Sequence, residues 1–248
     1  MTKKIMLVTG GSRGIGAQIS LLAGKAGYLV AVNYASNQVE ADKVVQSIKA
    51  AGGDAFAIQA NCGKEADIVR MFKEIDKHGP IDTLVANAGI IGGQMPVEEI
   101  HEAQLKELFD INVVGVLLCT REAVKRMSTA HKGKGGNIIL MSSAAARTGG
   151  ILQEAHYAAS KGAIDSFCLG ISKEVGKQGI RVVAVRPGLI RTDIHDAHGG
   201  VKVIEEWAST IPMGRVGDPS EVAKTVIWLA SPEASYIHGS FIDVAGGR

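Results

Sequence analysis

The chain has 248 residues, 46% of them apolar, enough to bury one substantial core. A formal net charge of +2, with neither a polybasic tract nor an acidic tail, argues against nucleic acid and anionic membrane as partners. No apolar run approaches the roughly 18 residues that span a bilayer. Met1-Thr2-Lys3-Lys4 enters an apolar segment without a signal-peptide pattern, and Cys62, Cys119 and Cys168 stand far apart, so a cytoplasmic chain with free thiols is expected.

Short apolar runs alternate with longer periodic segments. Strands are predicted at Ile5–Thr9, Leu29–Asn33, Ala55–Gln59, Thr83–Ala86, Asn137–Met141, Arg181–Val185 and Phe241–Val244. Most are continuously apolar, the pattern of strands buried on both faces. Between them, Val39–Ile48 reads as a helix stopped before Gly52-Gly53, and Ile68, Phe72 and Ile75 recur at helical spacing up to His78-Gly79-Pro80. Long helices are expected at Leu105–Met127 and Tyr157–Val175, and Asp218-Pro219 caps another over Ser220–Ala230. Strand–helix alternation with short connections predicts an α/β fold, a parallel sheet covered on both faces. Pro187–Gly200 is irregular and reads as a lid over a site. Its His195 and His198, with Asp193 and Asp196, are read as solvated lid residues that meet substrate, not as a metal site. Trp207 and Trp228 are expected to pack helices, with Trp207 a candidate for the pocket border, and His156 is expected to line the pocket.

The first strand runs into Thr9-Gly10-Gly11-Ser12-Arg13-Gly14-Ile15-Gly16 and then a helical pattern. Glycines there permit a tight turn and close approach to a pyrophosphate, and a helix N-terminus offers free N–H groups to phosphate. Tyr157 and Lys161 are four apart on a predicted helix, so they share a face. An ammonium beside a phenol is expected to lower its pKa and prepare it to exchange a proton with a carbonyl or alcohol oxygen. After the second strand, Val32-Asn33-Tyr34-Ala35-Ser36-Asn37 holds no carboxylate before Glu40. An acidic residue there would bind the ribose of NAD and repel a 2′-phosphate, so its absence, with Arg13 in the glycine loop, predicts a preference for NADP(H), with NAD(H) still accommodated.

These residues resemble the short-chain dehydrogenase/reductase family in order, spacing and placement. TGxxxGxG spans Thr9 to Gly16, Asn87-Ala88-Gly89 follows the fourth strand, Asn112 lies in the next helical stretch, Ser142-Ser143 follow the fifth strand, Tyr157-Ala158-Ala159-Ser160-Lys161 opens a helix, and Pro187-Gly188 follow the sixth strand. The resemblance runs from residue 5 to Gly246-Gly247, and within the family it is nearest to 3-oxoacyl carrier-protein reductases and glucose-dehydrogenase-like members. It implies one doubly wound Rossmann domain over residues 1–248 with a seven-stranded parallel sheet. It implies a catalytic set of Asn112, Ser143, Tyr157 and Lys161, with Ser142 a rival for the serine role and Asn112 anchoring a water. It further implies a dinucleotide held by Gly10, Ser12, Arg13, Gly14, Ile15 and Gly16; by Asn33, Tyr34, Ala35 and Ser36; by Asn61 and Cys62; by Asn87, Ala88 and Gly89; by Tyr157 and Lys161; and by Pro187, Gly188, Ile190 and Thr192. No metal enters this scheme. Asn61 stands where many relatives carry aspartate, and its side-chain oxygen still accepts a hydrogen bond. The expected substrate is a small carbonyl or alcohol, free or linked to an acyl carrier, and the expected assembly is a homotetramer built on the two long helices. The rival reading is a catalytically silent nucleotide-binding regulator or scaffold, against which the intact catalytic set argues.

Overall fold

The computed structural model describes residues 3–194 and 201–248, without the side chains of residues 201–203. His195, Asp196 and His198 therefore lie outside the described residues. Seven strands, β1 (Ile5–Val8), β2 (Leu29–Tyr34), β3 (Asp54–Gln59), β4 (Ile81–Ala86), β5 (Gly136–Met141), β6 (Ile180–Pro187) and β7 (Ser240–Val244), form one sheet in the order β3-β2-β1-β4-β5-β6-β7. Every neighbouring pair is parallel; Leu7, for example, lies between Ala31 and Leu84. The predicted strands are all present, with ends shifted by a few residues. The helices in chain order are α1 (Gly14–Lys25), α2 (Gln38–Ala50), α3 (Glu65–Asp76), α4 (Glu102–Phe109), α5 (Gly115–Met127), α6 (Ala145–Thr148), α7 (Ala155–Val175), α8 (Val201–Glu206) and α9 (Pro219–Ala230).

Alternate strand side chains feed two cores. Ile5 and Leu7 pack with Ile68 and Phe72 of α3, Cys119 and Ala123 of α5, and Ile164 and Cys168 of α7. Met6 and Val8 pack with Ile19 of α1, Val44 and Ile48 of α2, and Val222 and Val226 of α9. The sheet is thus buried on both sides, which is why its strands read as unbroken apolar runs. Helix starts follow local chemistry. Asn37 accepts from the Glu40 N–H at 3.2 Å, and Asp218 and Glu221 form a capping box around Pro219.

The expected single helix over Leu105–Met127 is corrected. α4 ends at Phe109, residues Asp110–Val114 form a π-turn in which the Gly115 N–H reaches the Asp110 carbonyl, and α5 follows. The Asn112 side chain is drawn inward to the Ile90 backbone, and a Cβ on Gly115 would stand 2.1 Å from the Cys62 carbonyl oxygen. Tertiary contacts on both sides widen the helical ladder there. The apolar stripe on α7 is spent largely inward: Ile164 and Cys168 are fully buried, and Phe167 and Ile171 pack on the same core. Trp228 is 42% exposed, so it packs less than expected, while Trp207 rests on Ile204, Ile211 and Val216 and does not line the cavity described next.

Candidate active site

Chain direction reverses its progress across the sheet between β1 and β4, and the segments leaving the two strands diverge to leave a crevice at their C-terminal ends. A cavity of about 550 Å³ occupies it, lined from the ends of β1, β2, β3, β4, β5 and β6. Its outer part is the glycine loop. Gly10 and Gly14 adopt φ of +60° and +51°, and a Cβ on Gly16 would meet the Gly10 carbonyl oxygen at 2.1 Å. α1 begins with no side chain capping its first N–H groups. An open backbone cradle at an uncapped helix N-terminus fits a pyrophosphate. Asn33 and Thr9 hold the loop in place. Asn33 Oδ1 accepts from the Gly10 N–H at 3.1 Å, and Thr9 Oγ1 accepts from the N–H groups of Asn87 and Ala88 at 2.9 and 3.0 Å. Asn87 Nδ2 donates to the Thr9 carbonyl at 2.8 Å. The Asn87-Ala88-Gly89 turn therefore ties β4 to the phosphate loop.

The inner part gathers Ser143, Tyr157 and Lys161 from β5 and α7. Burial pushes the Tyr157 phenol up to about 12; a hydrogen bond with Ser143 opposes the rise and nearby Glu154 adds to it. Burial also brings the Lys161 ammonium down to about 8, against the favourable charge of Asp165. Lys161 Nζ donates to the Met141 carbonyl at 2.9 Å and lies 5.8 Å from the Tyr157 ring centre. The expectation that Lys161 lowers the phenol's pKa is thus corrected for the free protein: the ammonium is engaged by a carbonyl, and desolvation governs the tyrosine. The two neighbouring serines differ. Ser142 Oγ donates to the Lys161 carbonyl at 3.2 Å, whereas Ser143 Oγ accepts from the Ala145 N–H at 3.1 Å and lines the cavity with Tyr157.

Nearly all the residues singled out in sequence meet on this one cavity: Gly10, Ser12, Arg13, Gly14, Ile15, Gly16, Asn33, Tyr34, Ala35, Asn61, Cys62, Asn87, Ala88, Gly89, Ser143, Tyr157, Lys161, Pro187, Gly188, Ile190 and Thr192. Two do not. Ser36 is exposed beyond β2, outside the lining. Asn112 is fully buried behind it: Oδ1 accepts from the Ile90 N–H at 2.9 Å, and Nδ2 donates to the Ile90 carbonyl at 2.8 Å and to Ser160 Oγ at 3.1 Å. His156 is also buried away from the cavity, with Nε2 3.0 Å from the Gly93 carbonyl oxygen. The Asn61 oxygen accepts locally from the Gly63 N–H at 2.8 Å. Sequence reasoning missed Thr148, Gly150, Ile151, Glu154 and Arg248, which also line the cavity, as does Asp193, read in sequence as a lid residue. The Gly149-Gly150 pair between Ser143 and Tyr157 marked a turn there, but nothing local pointed to Arg248. Asp193 meets Arg13 at 3.2 Å, an acidic neighbour that proximity in sequence did not reveal.

A family model described as enoyl-(acyl carrier protein) reductase matches residues 10–248. The chain is 48% identical over 245 residues to the uncharacterized oxidoreductase YgfF of Escherichia coli (strain K12), covering 98% of this chain and 99% of that protein. It is 39% identical over 248 residues to the 3-oxoacyl-acyl-carrier-protein reductase FabG of Staphylococcus aureus (strain N315), covering 100% and 98%. Among solved structures, a short-chain dehydrogenase/reductase from Serratia marcescens superposes with a TM-score of 0.91 at 30% identity over 99% of this chain and 98% of that one. The angucycline C-6 ketoreductase LanV with bound NADP superposes with a TM-score of 0.89 at 32% identity over 98% and 95%. Fold, site and relatives define an NAD(P)-dependent oxidoreductase acting on a CH–OH/C=O pair. The chain belongs to the short-chain dehydrogenase/reductase family.

Proposed function

We propose that this chain is an NADP(H)-preferring reductase of ketones, working reversibly on secondary alcohols, with Tyr157 as the general acid and base. The observation that carries the reading is that Ser143, Tyr157 and Lys161 line the inner end of a cavity whose outer end is an open phosphate cradle. In reduction, Tyr157 donates its proton to the substrate oxygen, which Ser143 holds by a second hydrogen bond. Ser142 is committed to the Lys161 backbone, which supports Ser143 in the serine role. The nicotinamide, when bound, supplies or accepts the hydride. Lys161 holds the nicotinamide ribose once its side chain turns from the Met141 carbonyl. Asn112 is a positioning residue: it fixes the Ile90 backbone at the cavity wall and, through Ser160, the first turns of α7.

The cofactor preference is supported by Asn33, Tyr34 and Ala35, which bring no carboxylate to the cavity, and by Arg13 beside them. The exposed Arg13–Asp193 pair is worth little, about 0–1 kcal/mol, so a 2′-phosphate can displace Asp193. The likeness to FabG and LanV supports a 3-oxoacyl thioester, carrier-linked or free, or a larger ketone as substrate. We take residues 1–248 as one domain acting as a cytoplasmic homotetramer. The test offers a 3-oxoacyl thioester, an aromatic ketone and an enoyl thioester with each cofactor, following absorbance of the reduced nicotinamide. Carbonyl reduction with kcat/KM higher for NADPH than NADH is expected, and Arg13→Ala should lower that ratio about tenfold. Equal values for both cofactors overturn the preference. Dinucleotide binding without oxidation by any carbonyl favours the silent scaffold, and turnover of the enoyl thioester alone moves the reaction to the C=C bond.

A further inference from the structure

The cysteines are spaced too widely to read as a pair, yet the fold brings two of them together. Cys62 follows β3 and lines the cavity; Cys119 faces it from α5, one turn beyond Gly115. Both lie in the same core cluster, 7% and 1% exposed. At Gly115 the helix touches the Cys62 backbone so closely that only a glycine fits, which sets Cys119, one turn on in the same core cluster, beside Cys62. Cys62 Sγ also reaches Asn33 Oδ1 at 3.5 Å. That same Asn33 oxygen holds the Gly10 N–H, while its Nδ2 donates to the Ile58 and Ala60 carbonyls at 3.3 and 3.1 Å. Asn33 thus links the dithiol to the start of the phosphate loop.

We propose that Cys62 and Cys119 form a redox-reactive dithiol whose oxidation to an intramolecular disulfide weakens dinucleotide binding. The binding effect rests on the reading that this cavity takes the dinucleotide. The oxidant is a hydroperoxide. The Cys62 thiol attacks its O–O bond, giving a sulfenic acid on Cys62 and an alcohol. The Cys119 sulfur then attacks the sulfenic sulfur, forming the S–S bond and releasing water that carries the Cys119 proton. Two electrons pass from the dithiol to the hydroperoxide, and an external dithiol returns them. Cys62 reacts first because it borders the cavity. A hydrogen bond with Cys62, together with burial, keeps Cys119 protonated until then. Pairing takes the Cys62 donor away from Asn33 and pulls the wall at Asn61 toward α5, loosening the hold on Gly10.

The experiment treats the full chain with cumene hydroperoxide, maps the peptides by mass spectrometry, and titrates NADPH by fluorescence before and after. Loss of two hydrogens, a Cys62–Cys119 cross-link and a free Cys168 are expected. NADPH affinity should fall about tenfold, a typical size for coupling between sites, and return with dithiothreitol. Bound NADPH should slow the oxidation. Cys119→Ser and Cys119→Ala should form no cross-link and keep their affinity through the same treatment. Absence of the cross-link, or Cys62 over-oxidised without pairing, overturns the dithiol; a cross-link with unchanged affinity overturns its coupling to the loop. Failure of the reduced protein to bind NADPH overturns the cofactor reading and the affinity effect with it, while the cross-link is still read by mass.

Discussion

Tyr157 and Lys161 feel the same burial with opposite signs. The phenol keeps its proton to about 12, so in the proposed role Tyr157 donates at neutral pH, and alcohol oxidation awaits the phenolate. Oxidation rates should therefore rise between about pH 7 and 10; a flat profile would contradict this. Tyr157→Phe should lower kcat by about 10²–10⁴-fold and leave NADPH titration nearly unchanged, because the ring stays and only the proton donor is lost. Lys161 carries a cost. Its folded pKa is lowered from 10.5 to about 8, so across that window the unfolded chain holds a proton that the folded chain has released, and stability rises with pH. Below about pH 8 the buried cation costs about 3 kcal/mol at roughly 1.4 kcal/mol per unit. Lys161→Met should then raise Tm of the cofactor-free protein at pH 7 and flatten its rise toward pH 10 while abolishing turnover. A Tm lowered by the substitution would show that the Met141 contact outweighs the desolvation.

At the scale of elements, α3 and α5 are clasped by a charged cluster centred on Glu122. This nearly buried carboxylate meets Arg121, Lys125 and Arg126; Arg126 also bridges to Asp76 and Arg121 to Glu65 on α3. Burial would raise the Glu122 pKa, but hydrogen bonds from Lys125, Arg126 and Arg121 together outweigh it and lower the value from 4.5 to about 2. A depressed carboxylate stabilises the fold above its unfolded value and loses that contribution as pH falls from about 4.5 toward 2. Glu122→Gln should cost about 1–3 kcal/mol in urea unfolding at pH 7, the half-exposed partners being screened, and less at pH 3. An equal loss at both pH values would assign the effect to packing. The capping box at Asp218 was legible because its parts are adjacent in sequence. The π-turn at Asp110–Val114 was not, because its causes, the Ile90 backbone and the Cys62 carbonyl, come from distant segments.

For the molecule as a whole, the strand order places a crevice at the β1/β4 boundary, and the segments leaving the strands furnish the glycine cradle and lead into α7, which brings Tyr157 to the same cavity. With Ile164 and Cys168 turned inward, the apolar surface left on α7 and the adjoining π-turn is Leu169 at 42% exposure and Val114 at 45%. If the proposed tetramer forms through these helices, Leu169→Glu should place a charge in its interface and reduce the mass seen by light scattering. A tetramer that survives the substitution unchanged would remove this face of α7 from the assembly. Among the described residues, no helix is long and apolar enough to cross a membrane.

The sequence by itself determined the seven strands, the ends of α2, α7 and α9 to within two residues, the glycine loop and the shared face of Tyr157 and Lys161. Those features depend on periodicity, on residues that tolerate only certain backbone angles, and on motifs whose spacing already implies a face or a turn. Tertiary structure alone decided what each side chain meets. It set Ser142 on the Lys161 backbone, Arg13 against Asp193, Asn112 behind the wall and Cys62 beside Cys119. It also set the direction of the Tyr157 shift, because desolvation depends on every atom that closes around the ring, and those atoms come from β5, α7 and the loops between, brought together only when the sheet is assembled.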